Sequence, residues 1–251
     1  MIDATVERLV VGTGTAERQL AVLRRAGGSP GIFCMTGYTG NMGGFDALDA
    51  FAAGEGAALV RFDYRGHGQS GGQFLDCGIS DWLDDASAVF ARTTGPQIIV
   101  GVSMGGWLAL HLAERNTERI AGLVLLAPAI DMTDMIHRNM SAEGKDQLRG
   151  TGFFPDPKSV SDERSVVTRQ LIDDGARYSL AGRRVAVNCP VRILHGTGDE
   201  SVPHRLSLDL FARIASDDAQ YTLIADGDHA LSRPADERWL FSAVRELRAR
   251  S

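Results

Sequence analysis

Six short apolar runs recur along the chain, at Gly31–Met35, Ala58–Phe62, Gln97–Val100, Ile120–Leu126, Val191–Leu194 and Tyr221–Ile224. Five of them lead into segments with helical spacing of apolar residues: Phe45–Ala53, Ile79–Ala91, Met104–Arg115, Leu206–Ile214 and Glu237–Arg248. A strand that is apolar at every position is one covered on both faces, and strands alternating with helices pair in parallel. Ahead of them, Thr5–Val11 and Gln19–Leu23 alternate around Gly12-Thr13-Gly14, the pattern of a β-hairpin. The fold class expected is α/β: a mostly parallel, doubly wound sheet with helices on both faces.

The alternation breaks between the fourth and fifth runs. Residues 131–187 carry helix-like pieces such as Val166–Leu171, punctuated by Gly150-Thr151-Gly152-Phe153-Phe154-Pro155. This stretch is too short for an independent domain and long enough to roof a pocket. It reads as a small inserted cap on a core made of residues 1–130 and 188–251.

Bulk properties narrow the function classes. With 251 residues and 44% hydrophobic content, the chain is long enough to bury a substantial core. Its formal net charge of −6, with no dense basic cluster beyond the Arg-rich last helix, speaks against nucleic acid. No run approaches the ~18 apolar residues of a membrane span. Met1–Glu7 lacks the basic and apolar regions of a secretory signal. Cys34, Cys77 and Cys189 are odd in number and widely spaced, which suits neither a disulfide framework nor a zinc site. They read as packing residues in a reducing, cytoplasmic setting.

The chemistry centres on Gly101-Val102-Ser103-Met104-Gly105, between the third run and its helix. A serine on a tight strand-to-helix turn needs an unusual backbone conformation and very small residues on both sides. Its hydroxyl is then held clear, with the Met104 amide aimed at whatever it attacks. Gly68-Gln69-Ser70-Gly71-Gly72 fits the same pentapeptide, and Gly66–Gly71 fits a dinucleotide fingerprint. Neither opens a helix directly, so a Gly-rich loop is the expectation there.

Serine is a poor nucleophile without a base and a group that orients the base. In doubly wound sheets such partners follow the carboxyl ends of strands. Asp199 follows the fifth run and His229 the sixth, in the chain order Ser, Asp, His. Glu200, Asp226 and Asp228 compete for the acid's place. Among the other histidines, His195 ends a strand and reads as a core plug, His111 lies mid-helix, His67 in the Gly-rich loop, His137 in the cap and His204 near a helix start. No pairing of Asp226 or Asp228 with a second histidine suggests a metal. An oxyanion hole would use the backbone N–H of Met104 and that of Tyr38, which follows the turn at Gly37. Met35, Met42, Met104, Met132, Met135 and Met140 fall in the loop, elbow or cap, either as core filler or as adaptable apolar walls. On the second reading Met42, Met132 and Met135 bind an apolar acyl or aromatic group.

Arg61-Phe62-Asp63-Tyr64-Arg65-Gly66, the stretch from Gly95 through Leu108, and Val187–Gly196 together resemble the α/β-hydrolase superfamily. More narrowly, they are similar to bacterial relatives of the mitochondrial acyl-protein thioesterase and acyl-glucuronide esterase, the abhydrolase-domain-ten group. The resemblance spans about Gly31 to Leu240 and implies an α/β-hydrolase fold. It places the nucleophile on Ser103, the acid on Asp199 and the base on His229. It departs before the oxyanion residue, where Thr36-Gly37 stands in place of the His-Gly of many esterases, and it is weakest in the cap. The activity expected is hydrolysis of small carboxylic esters or thioesters through an acyl-enzyme, with no cofactor. The alternatives are acyl transfer or peptide hydrolysis by the same triad, or a non-catalytic binder of small ligands. Oligomeric state is not legible.

Overall fold

The computed structural model describes residues 6–14, 17–155 and 166–250. In chain order the strands are β1 (Glu7–Val11), β2 (Arg18–Arg25), β3 (Gly28–Met35), β4 (Ala57–Phe62), β5 (Gln97–Val102), β6 (Ile120–Leu126), β7 (Phe153–Pro155), β8 (Val166–Thr168), β9 (Val191–Gly196) and β10 (Ala219–Ile224). The helices are α1 (Asp46–Gly54), α2 (Ile79–Phe90), α3 (Met104–Arg115), α4 (Met132–Asn139), α5 (Ala142–Thr151), α6 (Arg169–Ala176), α7 (His204–Phe211) and α8 (Pro234–Arg248). Thr5, in the expected first strand, lies outside the described residues.

Eight strands form one sheet in the order β1-β2-β4-β3-β5-β6-β9-β10. The opening hairpin pairs antiparallel, β2 joins β4 antiparallel, and every other pairing is parallel. Alternation of side chains along each strand divides its apolar residues between two cores. In β5, Ile99 enters one core with Trp82 of α2 and Trp107 of α3. Ile98 and Val100 enter the other, with Leu48 of α1 and Val244 of α8. This is why the central strands β5 and β6 read as unbroken apolar runs, neither face meeting water, whereas β10, at the sheet edge, is mostly half-buried or exposed.

The order β4-β3-β5 contains a reversal. From β3 the chain winds first to β4 on one side, then returns to β5 on the other. A crevice opens at such a switch point, outside the carboxyl ends of β3 and β5. The loops after these strands begin at Thr36 and Ser103.

Residues 131–187 hold α4, α5, the β7–β8 hairpin and α6. Val166–Leu171, which the sequence suggests is helix-like, is instead strand β8 running into the first turn of α6. Val166, Val167 and Thr168 are β-branched and favour the strand. Thr168 then caps the helix, accepting a hydrogen bond from the Leu171 amide at 3.0 Å. α8 starts earlier than its apolar spacing suggests, with Pro234 in its first turn, followed by Asp236 and Glu237. No helix among the described residues is long and apolar enough to cross a membrane.

Candidate active site

Ser103 sits between β5 and α3 with φ 54° and ψ −120°, a left-handed conformation that a non-glycine residue adopts only under constraint. The constraint is visible around it. The Ser103 amide donates to the Leu126 carbonyl at 2.9 Å, and its own carbonyl accepts from the amides of Gly106 and Ala129, each at 3.0 Å. A Cβ on Gly101 would stand 2.6 Å from the Gly105 carbonyl oxygen. One on Gly105 would stand 2.5 Å from the Thr36 carbonyl oxygen. Only glycine permits these approaches on either side of the serine. Met104 is the first residue of α3, so its amide is among those at a helix start with no intrahelical acceptor.

The switch point brings the loop after β3 against this turn. A Cβ on Gly37 would lie 3.1 Å from Ser103 Cβ. The ring of Tyr38 turns away and packs against Phe74 and Trp82, with centroids 5.2 and 5.8 Å off. The buried Asp63 braces the loop, accepting from the amides of Met42 at 2.7 Å and Gln69 at 2.8 Å. Burial pushes the Asp63 carboxyl above the usual carboxylate range, against the pull of these amides. The Gly66–Gly71 loop wraps the same carboxylate and runs into a 3₁₀ turn at Phe74–Asp76. The dinucleotide pattern thus lacks its helix.

Asp199 and His229 follow the two strands at the other side of β6. Their loops are stitched together: Gly198 N donates to Gly227 O at 3.0 Å and Thr197 N to Ile224 O at 2.9 Å. His229 Nδ1 stands 2.7 Å from Asp199 Oδ2. Asp199 Oδ1 accepts from the amides of Ser201 and Val202, both at 2.8 Å. A carboxylate only accepts, so Nδ1 of His229 carries the proton and Nε2 is left as the basic nitrogen. The Asp199 side chain is 0% exposed and that of His229 is 30% exposed. Burial alone would raise the Asp199 carboxyl; hydrogen bonds from His195, His229 and the Val202 amide outweigh it and hold the group well below the usual carboxylate range.

Among the described residues, none of the competing acids is hydrogen-bonded to His229 as Asp199 is. Asp228 accepts from the amide and hydroxyl of Ser232, at 2.9 and 2.6 Å, and Glu200 and Asp226 are exposed. Ser103 lies on the same rim as the Asp199–His229 pair and is tied to it through β6, where Ala127 N donates to Leu194 O at 2.8 Å. Of the candidate substrate contacts, Met42 and Met132 are buried, and Met135 is half-buried against the main core. The three thiols are free, and burial pushes Cys77 up to about 12, Cys189 up to about 11 and Cys34 higher still, so none offers a thiolate at neutral pH. Among the described residues no group of three or more His, Cys, Asp and Glu is arranged to hold a metal ion.

Two features escape a reading of the sequence. His195 touches Asp199 as well as plugging the core. His111 Nε2 and Trp107 Nε1, both on α3, lie 2.8 and 3.2 Å from the Tyr178 carbonyl just beyond α6.

A mostly parallel sheet clothed on both faces, with a serine on a strained turn after its central strand β5, defines an α/β hydrolase. Residues 31–152 match the family described as serine aminopeptidase, S33. The chain is 34% identical over 232 residues to the mitochondrial palmitoyl-protein thioesterase ABHD10 of Bos taurus, covering 91% of this chain and 76% of that protein. It belongs to the ABHD10 group of the α/β-hydrolase superfamily and is a serine hydrolase. The solved structure of mouse α/β hydrolase domain-containing protein 10 superposes with a TM-score of 0.86 at 31% identity, over 97% of this chain and 98% of that one. A solved structure from Agrobacterium vitis S4 gives a TM-score of 0.92 at 37% identity, over 98% and 99%. The monoacylglycerol lipase of Mycolicibacterium smegmatis is 25% identical over 83% of this chain and 84% of its own.

Proposed function

We propose that this protein hydrolyses carboxylic esters or thioesters with an apolar acyl group, using Ser103 as nucleophile, His229 as general base and Asp199 as the acid that orients it. Ser103 Oγ bonds to the acyl carbon while His229 Nε2 takes the hydroxyl proton. The amides of Met104 and Tyr38 hold the oxyanion as it develops. Collapse breaks the bond to the leaving oxygen or sulfur, which receives the proton from His229. Water then gives a proton to His229 as its oxygen attacks the acyl carbon, and the second collapse breaks the bond to Ser103 Oγ, which takes that proton back from His229 as the carboxylic acid leaves. Asp199 stabilises the transient imidazolium without taking its proton.

The observation that carries this reading is the 2.7 Å hydrogen bond from His229 Nδ1 to Asp199, on the strand-end rim that also holds the Ser103 turn. The proposal adds the approach of the Ser103 hydroxyl to His229 Nε2 across β6. Residues 131–187 serve as the cap over this rim, with residues 1–130 and 188–251 as the core. The half-buried Met135 is the first candidate for acyl contact, with Met42 and Met132 supporting the apolar wall. A thioester of a long-chain acyl group is the leading substrate class, because the ABHD10 relatives carry the name palmitoyl-protein thioesterase.

The test is covalent labelling by a fluorophosphonate, followed by a panel of acyl thioesters, acyl-glucuronides and aryl esters of graded length. A peptide anilide belongs in the panel because the matched family is described as an aminopeptidase. Ser103→Ala is expected to abolish labelling and to lower kcat by about 10⁶-fold, as when one member of a catalytic unit is removed. Labelling that persists in S103A, or esterase activity at the wild-type level, excludes Ser103 as nucleophile.

A further inference from the structure

His195 ends β9 with its side chain 0% exposed, as a residue plugging the core would be. Its hydrogen bonds exceed what a plug requires. Nε2 lies 3.0 Å from Asp199 Oδ2 and 3.0 Å from the Val202 carbonyl oxygen. Both neighbours are acceptors, so Nε2 carries a proton. Nδ1 lies 2.7 Å from the hydroxyl of the buried Ser207. A serine hydroxyl can donate or accept. With the ring desolvated, the arrangement that satisfies every atom is a neutral imidazole: Nε2–H donates towards Asp199 and Val202, and Ser207 donates to Nδ1.

Two imidazoles therefore share one carboxylate oxygen. His229 approaches Asp199 Oδ2 from the accessible side and His195 from inside the core. Oδ1 is fixed by two backbone amides, so Oδ2 is placed by His195 on the inner side and presented to His229 on the outer one.

We propose that His195 is a positioning residue that acts through Asp199, its Nε2–H fixing Oδ2 so that His229 keeps a single tautomer, protonated at Nδ1 and basic at Nε2. The proposal rests on the Ser103–Asp199–His229 reading for its kinetic consequence, and on hydrogen bonding alone for its spectroscopic one. It separates from simple packing because leucine fills comparable volume without an N–H, whereas glutamine keeps a donor at a similar reach.

Nitrogen-15 spectra of the wild-type protein, labelled at histidine, provide the first test. His195 is expected protonated at Nε2 and His229 at Nδ1; a wild-type His195 protonated only at Nδ1 overturns the proposal without any variant. The second test compares His195→Leu and His195→Gln. His195→Leu should lose the hydrogen-bonded Nδ1–H signal of His229 to exchange and lower kcat by about 10- to 100-fold at unchanged KM, the range for removing an outer hydrogen-bond partner. His195→Gln should restore most of both. Equal kcat and an intact His229 signal in folded H195L would reduce His195 to core packing. Fluorophosphonate labelling of the wild type keeps the two claims apart. If Ser103 is not labelled, the catalytic reading fails, while the nitrogen spectra still decide whether His195 governs the Asp199–His229 pair.

Discussion

Replacing Gly105 with alanine perturbs a close backbone approach beside the Ser103 turn. The new Cβ would lie 2.5 Å from the Thr36 carbonyl oxygen and closer still to that of Met35. A carbon next to a carbonyl oxygen settles at about 3.3 Å or more, so the first turn of α3 must retreat from the end of β3 by close to 1 Å. That retreat widens the gap between the Met104 amide and the loop that begins at Gly37. A misplacement of about 1 Å costs about 10²-fold in rate, or roughly 2.7 kcal/mol of transition-state stabilisation. On stability two effects oppose each other. Alanine gains up to about 1 kcal/mol of helix propensity over glycine. Overpacking against backbone, which cannot swing aside as a flexible side chain can, costs about 1–3 kcal/mol and prevails. Gly106→Ala should be milder, since its Cβ would meet Pro128 Cβ at 2.9 Å. Gly54→Ala, at the end of α1 with nothing within 4 Å, should leave activity unchanged and stabilise slightly. Measuring kcat/KM on an aryl ester together with urea unfolding for the three variants gives the order. Wild-type kcat/KM and unaltered unfolding in G105A would refute the reasoning.

Asp199→Asn should lower kcat by about 10⁴-fold on the same ester, because the amide favours the wrong tautomer of His229. The native Asp199 carboxyl titrates below its unfolded value of about 3.9, so its contribution to stability is complete above that pH and is lost as pH falls through the native value. The difference in unfolding free energy between wild type and D199N should therefore shrink below about pH 4, read by urea titrations at stepped pH. Asp85 is fully buried and accepts from Arg18 at 2.5 Å and from the Arg65 amide and guanidinium at 2.8 Å, so Asp85→Ala should cost about 3–5 kcal/mol in urea unfolding. Asp174 on α6 accepts from the Ser80 amide in the first turn of α2 at 2.7 Å. Removing this cap with Asp174→Ala should cost about 1 kcal/mol, seen as a lower urea midpoint at unchanged slope.

The sheet and its helices were legible because a strand covered on both faces leaves a near-continuous apolar run, as β5 and β6 do; the edge strand β10 was found from its Tyr221–Ile224 run, yet most of it is half-buried or exposed. The Ser103 turn was legible because tight backbone approach leaves glycine on both sides. Choosing Asp199 over Glu200 needed a family resemblance, because neighbouring carboxylates differ only in direction, which the turn decides through the amides of Ser201 and Val202. His195 was legible as buried and not as a partner of Asp199. The contact is made across the turn at 197–198 that ends β9, so no single helix or strand joins the two residues for its period to reveal it. The β7–β8 hairpin was missed because its strands have only three residues each and carry no visible alternation. The methionines show how far composition alone reaches: six read as loop, elbow and cap, yet Met35 closes β3 and five of the six are buried.

The ties made by the stretch between β6 and β9 set a rule for exchanging parts. Its return path is stapled to the scaffold by Asp174 on the start of α2, by the Tyr178 carbonyl against Trp107 and His111 of α3, and by Arg183 on Glu114 of the same helix. Met140, Leu148 and Val167 form a small apolar cluster apart from the two main cores, with Ile136, Phe154 and Ile172 packed against it. A chimaera whose exchanged part ends before residue 174 leaves the helix bearing the serine in its seat. One that crosses residue 178 removes the ties to α3 and loosens that helix.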